Sequence, residues 1–347
     1  TIDVAYRYFA TDKRKFIIAD APGHIQYTRN MITGASNSDL IILLVDARNG
    51  VTEQTRRHSI IASLLHIPEV VVAVNKMDLV GYDQKVFDNI KKEYEGIAKQ
   101  LNLKQVHYFP ISAFVGDNIV NTTSAMPWYQ GDSLLHFLER VQINSHPYDK
   151  PRFQVQYVIR PQTEELHDYR GYAGQVLSGT YTKGDTLTIL PQGVTTSLSR
   201  IEVDGQEVEE VQAGTPAVLH ISDDIDISRG DYLVKADSEP HIEQTLEATL
   251  CWMDRRELQE GSRYLLQQRA RLTKVIVKEI IYKIDVNTLA QDTESKSVKL
   301  NEIAKVQLKA ASPLVYDPFE ENPPMGSAIL IDETSNATVA GVLINEF

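Results

Sequence analysis

The chain has a single cysteine, Cys251, among 347 residues. No internal disulfide can form, and one thiol suits a reducing compartment, so a cytoplasmic location is expected. Its neighbours Leu250 and Trp252 place it in a buried strand rather than in a reactive site. No apolar run reaches the length of a membrane-spanning helix, and no N-terminal stretch has the make-up of a secretory signal. An excess of positive charge is missing as well, since 35 Lys and Arg face 47 Asp and Glu for a formal net charge of −12. That balance argues against non-specific binding to nucleic acid or membrane, although a local basic patch remains possible on an acidic protein.

What is present is enough apolar material, 42% of the residues, to fill roughly two or three domain cores. In the first half, strands are expected at Ile2–Phe9 and Lys15–Ala19, joined by a turn at Thr11-Asp12. A helix over Tyr27–Ala35 leads to the apolar run Leu40–Val45, closed by Asp46. Such a run suits a strand covered on both faces of a parallel sheet. Helices over Glu53–Leu65, Gln84–Leu101 and Leu134–Val141 alternate with strands at Val70–Val74 and Val106–Ile111. This βαβ alternation is the signature of a doubly wound α/β domain.

The polar residues then fall into a pattern. Asp20, Asn75 and Ser112 each close a separate expected strand, and in an open parallel sheet those strand ends share the edge where ligands bind. Asn75-Lys76-Met77-Asp78 taken alone fits an ordinary polar turn as well as a binding site. On that edge, however, the Asp78 carboxylate can accept from the N1–H and exocyclic amine of guanine. Adenine would leave it facing lone pairs, so the site would select GTP and GDP. Asn75 would tether neighbouring loops, and the Lys76 stem would cover one face of the base. Ser112 and Ala113 add small residues whose backbone N–H groups can approach the base oxygen, a weak signal without its neighbours.

The stretch Asp20-Ala21-Pro22-Gly23-His24 follows an apolar run and reads as a turn facing phosphate and its Mg2+ ion. Asp20 would hold the metal, through water. Gly23 would let the backbone come close to the terminal phosphate. His24 would orient the attacking water and stabilise developing charge; packing against Tyr27 is the competing role. Thr1 is a second candidate metal ligand. No segment has the form G-x-x-x-x-G-K-[ST] that cradles nucleotide phosphates. Because the chain opens on Thr1 close to a strand, that loop is expected upstream; the other outcome is a scaffold that binds no nucleotide.

These motifs resemble those of the translation-factor GTPases, the class of elongation factors Tu and 1-alpha. Asp20–His24 is similar to that class's magnesium and γ-phosphate motif, Asn75–Asp78 to its guanine motif, and Thr1-Ile2-Asp3 to the end of its first switch loop. Gln54–Ser59, Asp224–Asp231, Asp285–Leu289, Leu300–Ile303, Ile329–Asp332 and Thr334–Thr338 resemble, more narrowly, the large-subunit family of heterodimeric sulfate adenylyltransferase. That resemblance implies a GTPase whose partner, a catalytic adenylyltransferase subunit, binds ATP and sulfate and makes adenylyl sulfate and pyrophosphate. It implies no nucleic-acid partner, whereas delivery of aminoacyl-tRNA is the alternative on the same architecture.

From Pro151 onward the texture changes to alternating strands and glycine-marked turns. Phe153–Val158 alternates as a half-buried strand, and Asp204-Gly205 signals a tight hairpin. One small barrel is expected to end near Val234, and Asp237–Pro240 is a polar joint before a second β unit. Strands there are expected at Leu246–Trp252, Val275–Ile284, Ala304–Lys309 and Ser327–Ile331. The expected organisation is multidomain, α/β plus all-β: a P-loop-type GTPase domain at 1–149 and β-barrels at 150–237 and 238–347. Neither barrel shows a catalytic constellation. His167, His220 and His241 are scattered, Tyr169–Tyr172 suits the start of a strand, and Trp252 is either core or an exposed anchor for a partner.

Overall fold

The computed structural model describes residues 4–21, 28–35, 38–143, 148–161, 169–285, 288 and 290–345. The chain divides into two compact units, Thr1–Ser145 with Asp285–Ala290, and His146–Ile284 with Gln291–Phe347.

The first unit opens with β1 (Ala5–Ala10) and β2 (Lys15–Asp20), an antiparallel hairpin in the register Ala5↔Asp20 to Ala10↔Lys15. Then come α1 (Thr28–Ala35), β3 (Leu40–Asp46), α2 (Glu53–Leu64), β4 (Glu69–Asn75), α3 (Gln84–Gln100), β5 (Gln105–Pro110) and α4 (Leu134–Arg140). Thr52 caps α2 in a reciprocal box with Thr55, and the Asp83 side chain caps α3 by accepting from the Lys85 N–H. The strands β3, β4 and β5 are parallel, with β4 in the middle. The run Val70–Val74 is apolar at every position because both faces of β4 are covered. Val70, Val72 and Val74 join Phe87, Ile90 and Tyr94 of α3 on one face, and Val71 and Ala73 join Phe109 with Leu134 and Phe137 of α4 on the other.

Two expectations change here. The apolar run of β3 is not covered on both faces: Leu43 and Val45 are buried, whereas Ile42 and Leu44 are 39% and 66% exposed. At Ile42 and Leu44 only the face towards α3 is filled, while Leu40 at the start of the strand packs against the Val71 and Phe109 cluster. The shared sheet edge also holds for Asn75 and Ser112 but not for Asp20. Among the described residues β2 pairs only with β1, and no strand joins that hairpin to β3. The hairpin is secured by its turn, where Arg14 donates to the carbonyls of Leu138 and Val141, 2.8 Å each, at the end of α4. Those carbonyls lie at the helix end, where the helix has no N–H donors of its own left to satisfy them.

In the second unit, β6 (Arg152–Ile159), β7 (Gly171–Ser178), β8 (Thr180–Thr182), β9 (Thr186–Leu190), β10 (Val194–Val203), β11 (Gln206–Val208), β12 (Glu210–Gln212), β13 (Pro216–Ile221) and β14 (Tyr232–Lys235) build the first barrel. Six of them close in the order β10-β13-β7-β6-β14-β9, with β9 returning to β10. The Asp204-Gly205 hairpin forms with φ of 51° and 76°, both positive as the tight turn requires. The second barrel comprises β15 (His241–Trp252), β16 (Leu258–Gln259), β17 (Arg263–Gln268), β18 (Arg271–Ile284), β19 (Gln291–Asp292), β20 (Ser297–Val298), β21 (Ile303–Tyr316), β22 (Ser327–Ile331) and β23 (Thr338–Ile344). It closes as β17-β22-β23-β15-β21-β18, with β17 pairing back to β18.

The strand β21 runs past the expected stop at Lys309. Its ladder with β15 skips from Lys309 to Leu314 between Thr245 and Glu243, so Pro313 lies in an irregularity where no ladder donor is needed. Trp252 is 1% exposed and its indole donates to the Arg256 carbonyl, so it is core and not an anchor. Cys251 is buried beside it, and burial pushes its thiol up to about 12. The barrels share a small core of Leu190, Tyr232, Val234, Val315 and Met325. Next to it the fully buried Arg152 makes a two-pronged bond to Asp317, 2.8 and 2.9 Å, and also donates to Ser238. Asn322 donates to the same carboxylate at 3.0 Å.

Candidate functional site at the sheet edge

The loops after β3, β4 and β5 meet at the carboxyl end of the parallel sheet. At the end of β4 the chain turns sharply, with Lys76 at φ 65°, and enters a single 3-10 turn, Met77–Val80. A non-glycine residue in that left-handed region costs about 1 kcal/mol or more. It is held there by side chains on both sides. The Asn75 Oδ1 accepts from the Lys76 N–H at 2.7 Å, and Lys76 Nζ donates to Asp46 Oδ2 at 2.9 Å. Met77 is fully buried beneath, which pins the turn to the core. Arg48 also binds Asp46, through Nε at 3.0 Å and a terminal nitrogen at 2.7 Å. Arg48 first, and Lys76 after it, hold the Asp46 carboxyl well below the usual carboxylate range.

The second and third loops are cross-linked. Met77 N–H donates to the Ile111 carbonyl at 3.2 Å, and Asn75 Oδ1 accepts from the Ala113 N–H at 2.9 Å. The fully buried Ser112 donates its hydroxyl to Asp78 Oδ1 at 2.6 Å. Tyr82 adds a further link, donating to Asp117 Oδ2 at 2.8 Å. A carboxylate offers about four lone-pair sites, so with one used by Ser112 the Asp78 side chain can still accept two parallel N–H bonds. The Asp78 Oδ2 has no hydrogen-bond partner among the described residues. That open acceptor, beside Asn75, which tethers the loop after β5, has the chemistry to fit the edge of a guanine base.

The placement of the expected residues is therefore uneven. Asn75, Lys76, Met77, Asp78, Ser112 and Ala113 come together. The amides of Ser112 and Ala113 are already engaged, by the Asp117 carbonyl and by Asn75, whereas the Phe114 amide has no hydrogen-bond partner among the described residues. Asp20 closes β2 with an exposed side chain, followed by the partly exposed Ala21. Thr1, Pro22, Gly23 and His24 lie outside the described residues. Among the described residues no three His, Cys, Asp or Glu group as a metal centre. A single exposed carboxylate suits Mg2+ held mainly by water and by phosphate oxygens. Asp46, Tyr82 and Asp117 were not legible as site residues, because no spacing rule links Tyr82 to a partner 35 positions away.

The first barrel carries an open cleft of about 550 Å3 lined by Arg160, Tyr169, Arg170, Arg200, His220 and Asp224, among others. Arg170 already pairs with Asp224 and Asp226, and Arg200 with Glu202. His220 sits between the Arg170 carbonyl, at 2.8 Å from Nδ1, and Glu202, at 3.1 Å from Nε2. His241 stacks on Tyr316. Both of these histidines have structural roles, and His167 lies outside the described residues.

The Elongation factor Tu GTP binding domain family matches residues 1–145, and the GTP-eEF1A C-terminal domain-like family matches residues 245–345. The "Sulfate adenylyltransferase subunit 1" of Francisella tularensis subsp. novicida is 46% identical over 99% of this chain and 72% of its own length. The chain belongs to the sulfate adenylyltransferase subunit 1 family. The protein of that name from Teredinibacter turnerae is 47% identical over 99% of this chain and 73% of its own length. The "Bifunctional enzyme CysN/CysC" of Mycobacterium tuberculosis is 48% identical over 99% of this chain, which spans 56% of that protein. The chain thus covers a little over half of one relative and nearly three quarters of the others. Among solved structures, Sup35 complexed with GMPPNP superposes with a TM-score of 0.54 at 22% identity, over 98% of this chain and 83% of that one. This likeness places the fold, a translation-factor type of GTPase domain followed by two six-stranded barrels.

Proposed function

We propose that this chain is the GTP-hydrolysing subunit of a sulfate adenylyltransferase, coupling GTP turnover to adenylyl transfer in a partner. The observation that carries the reading is the cross-linked edge of Asn75, Asp78, Ser112 and Ala113, with the Asp78 carboxylate open to two N–H donors. Likeness to sulfate adenylyltransferase subunits over 99% of the chain supports the particular output and weighs against aminoacyl-tRNA delivery.

In this reading Asn75, Lys76, Met77 and Asp78 hold the guanine base, Ser112 and Ala113 complete the site by bracing Asp78 and Asn75, and the loop Asp20–His24 faces the terminal phosphate. Asp20 and Thr1 hold Mg2+, which when bound neutralises charge on the phosphate oxygens. His24 orients the water that attacks the terminal phosphate. ATP and sulfate bind to a separate catalytic subunit in the cytoplasm, where adenylyl sulfate and pyrophosphate form. We place the domain boundaries at 149/150 and 237/238, the second within the polar joint Asp237–Pro240. The test is co-purification of the full-length protein with its partner, followed by GTP hydrolysis with and without ATP plus sulfate. Stimulation by the two substrates together is expected. An unchanged rate in an intact complex would remove the sulfate assignment.

A further inference from the structure

Tyr82 bridges the two loops that make the guanine edge. Its hydroxyl donates to Asp117 Oδ2 at 2.8 Å, and Asp117 in turn accepts the Ser112 N–H through its carbonyl at 3.2 Å. Ser112 is the residue whose hydroxyl binds Asp78. The path from Tyr82 to the base-reading carboxylate therefore has three short links: Tyr82 to Asp117, Asp117 to Ser112, and Ser112 to Asp78. Tyr82 itself is fixed from three sides. Its amide donates to the Met77 carbonyl at 2.9 Å, its carbonyl accepts from the Trp128 indole at 3.0 Å, and its ring packs against the core of α3. Its backbone has φ 58°, which a non-glycine residue adopts only when its surroundings impose it. The loop it grips turns tightly through Gly116 at φ 97° and is closed by the Gly116 N–H to Ser112 carbonyl bond of 2.7 Å.

We propose that Tyr82 and Asp117 form a clamp that positions Ser112 and, through it, Asp78, so that guanine is distinguished from bases lacking its exocyclic amine. Neither residue touches the base; both are positioning residues. The inference rests on the guanine reading of Asp78. The Tyr82 hydroxyl stays protonated across the physiological range, because its bond to Asp117, then burial, then the nearby Asp117 and Asp78 charges push it up to about 12. The clamp therefore remains a neutral donor on a carboxylate, a bond stronger than one between neutral groups.

GDP and IDP differ only by the exocyclic amine, so their affinity ratio reports how well Asp78 is placed. In the full-length protein, Tyr82→Phe keeps the ring and removes the donor. It is expected to shrink the GDP/IDP preference about tenfold, at an unchanged melting temperature. Asp117→Ala is expected to do the same, and the double variant to do no more than either single one, because both break one link. Additive losses, or a preference unchanged in Tyr82→Phe, would overturn the clamp. If Tyr82→Phe unfolds the protein, Asp117→Ala and Asp117→Asn still decide, since an amide oxygen can accept from Tyr82 and is expected to restore most of the preference. The wild-type GDP/ADP ratio separates the two ideas. No preference for GDP over ADP would end the guanine reading itself, whereas a strong preference with no effect of Tyr82 would end only the clamp.

Discussion

Two carboxylates in this protein are set in dense hydrogen-bond networks, and they are used in opposite ways. Asp317, 3% exposed, receives two bonds from Arg152 and one from Asn322, in a junction that joins the two barrels. Arg152 Nη1 donates to the Ser238 carbonyl and hydroxyl and to the Pro151 carbonyl. Little of that network's bonding capacity faces outward, so it can only hold the barrels together. Among the described residues Asp78 has a single donor, Ser112, and its neighbours are braced by Asn75, Tyr82 and Asp117 instead. A carboxylate whose surroundings are rigid but whose own bonds are unfinished is prepared for a ligand. The first network closes around Asp317, with the buried Asn322 Oδ1 alone of its side-chain oxygens left without a partner among the described residues, while the second leaves Asp78 Oδ2 open.

The largest expected effect falls on the closed network. Arg152→Ala leaves Asp317 buried and without its cation, and should destabilise the barrel pair by about 3–5 kcal/mol. Denaturant unfolding checks this; a loss below about 1 kcal/mol would mean that the junction is hydrated and not closed. On the open side, His24→Ala is expected to slow GTP hydrolysis by about 100-fold while leaving GTP affinity nearly unchanged. Affinity falling as steeply as the rate would make His24 a binding residue, with no part in orienting water.

The smallest effect should come from pH. Burial first, then the Arg200 charge, hold the His220 imidazole below its usual value, with Glu202 and the Arg170 carbonyl acting the other way. A histidine with a lowered folded pKa stabilises fully above its unfolded value of about 6.5 and loses that contribution as pH falls through the folded one. The other charged groups facing it, Arg170, Asp223 and Asp224, line the same cleft. Thermal stability should therefore fall modestly below about pH 6.5, and His220→Asn should flatten that part of the profile. An identical slope in His220→Asn would assign the effect to another group.

Much of this was readable from residues alone, for reasons that differ by site. The unbroken Val70–Val74 run gave away a central strand, because a strand covered on both faces has no solvent side to carry polar residues. The Leu40–Val45 run looked the same and was not, since sequence cannot say where a covering helix stops. The meeting of Asn75 and Asp78 with Ser112 and Ala113 was readable because the ends of parallel strands share one edge. The Tyr82–Asp117 bond was not, because it depends on a turn geometry, Lys76 and Tyr82 both at positive φ, that local spacing does not encode. The run of β21 past Pro313 was hidden for the opposite reason, a local breaker absorbed by a long-range irregularity in the ladder.

The most direct test of the central claim is the base preference of Asp78→Asn in the full-length protein. An amide at this position can donate to the extra oxygen of xanthine and no longer accepts two guanine donors. GDP affinity is expected to drop at least about 100-fold while XDP affinity rises, reversing the preference. A GDP/XDP ratio unchanged from wild type would remove Asp78 from the base site and contradict the account.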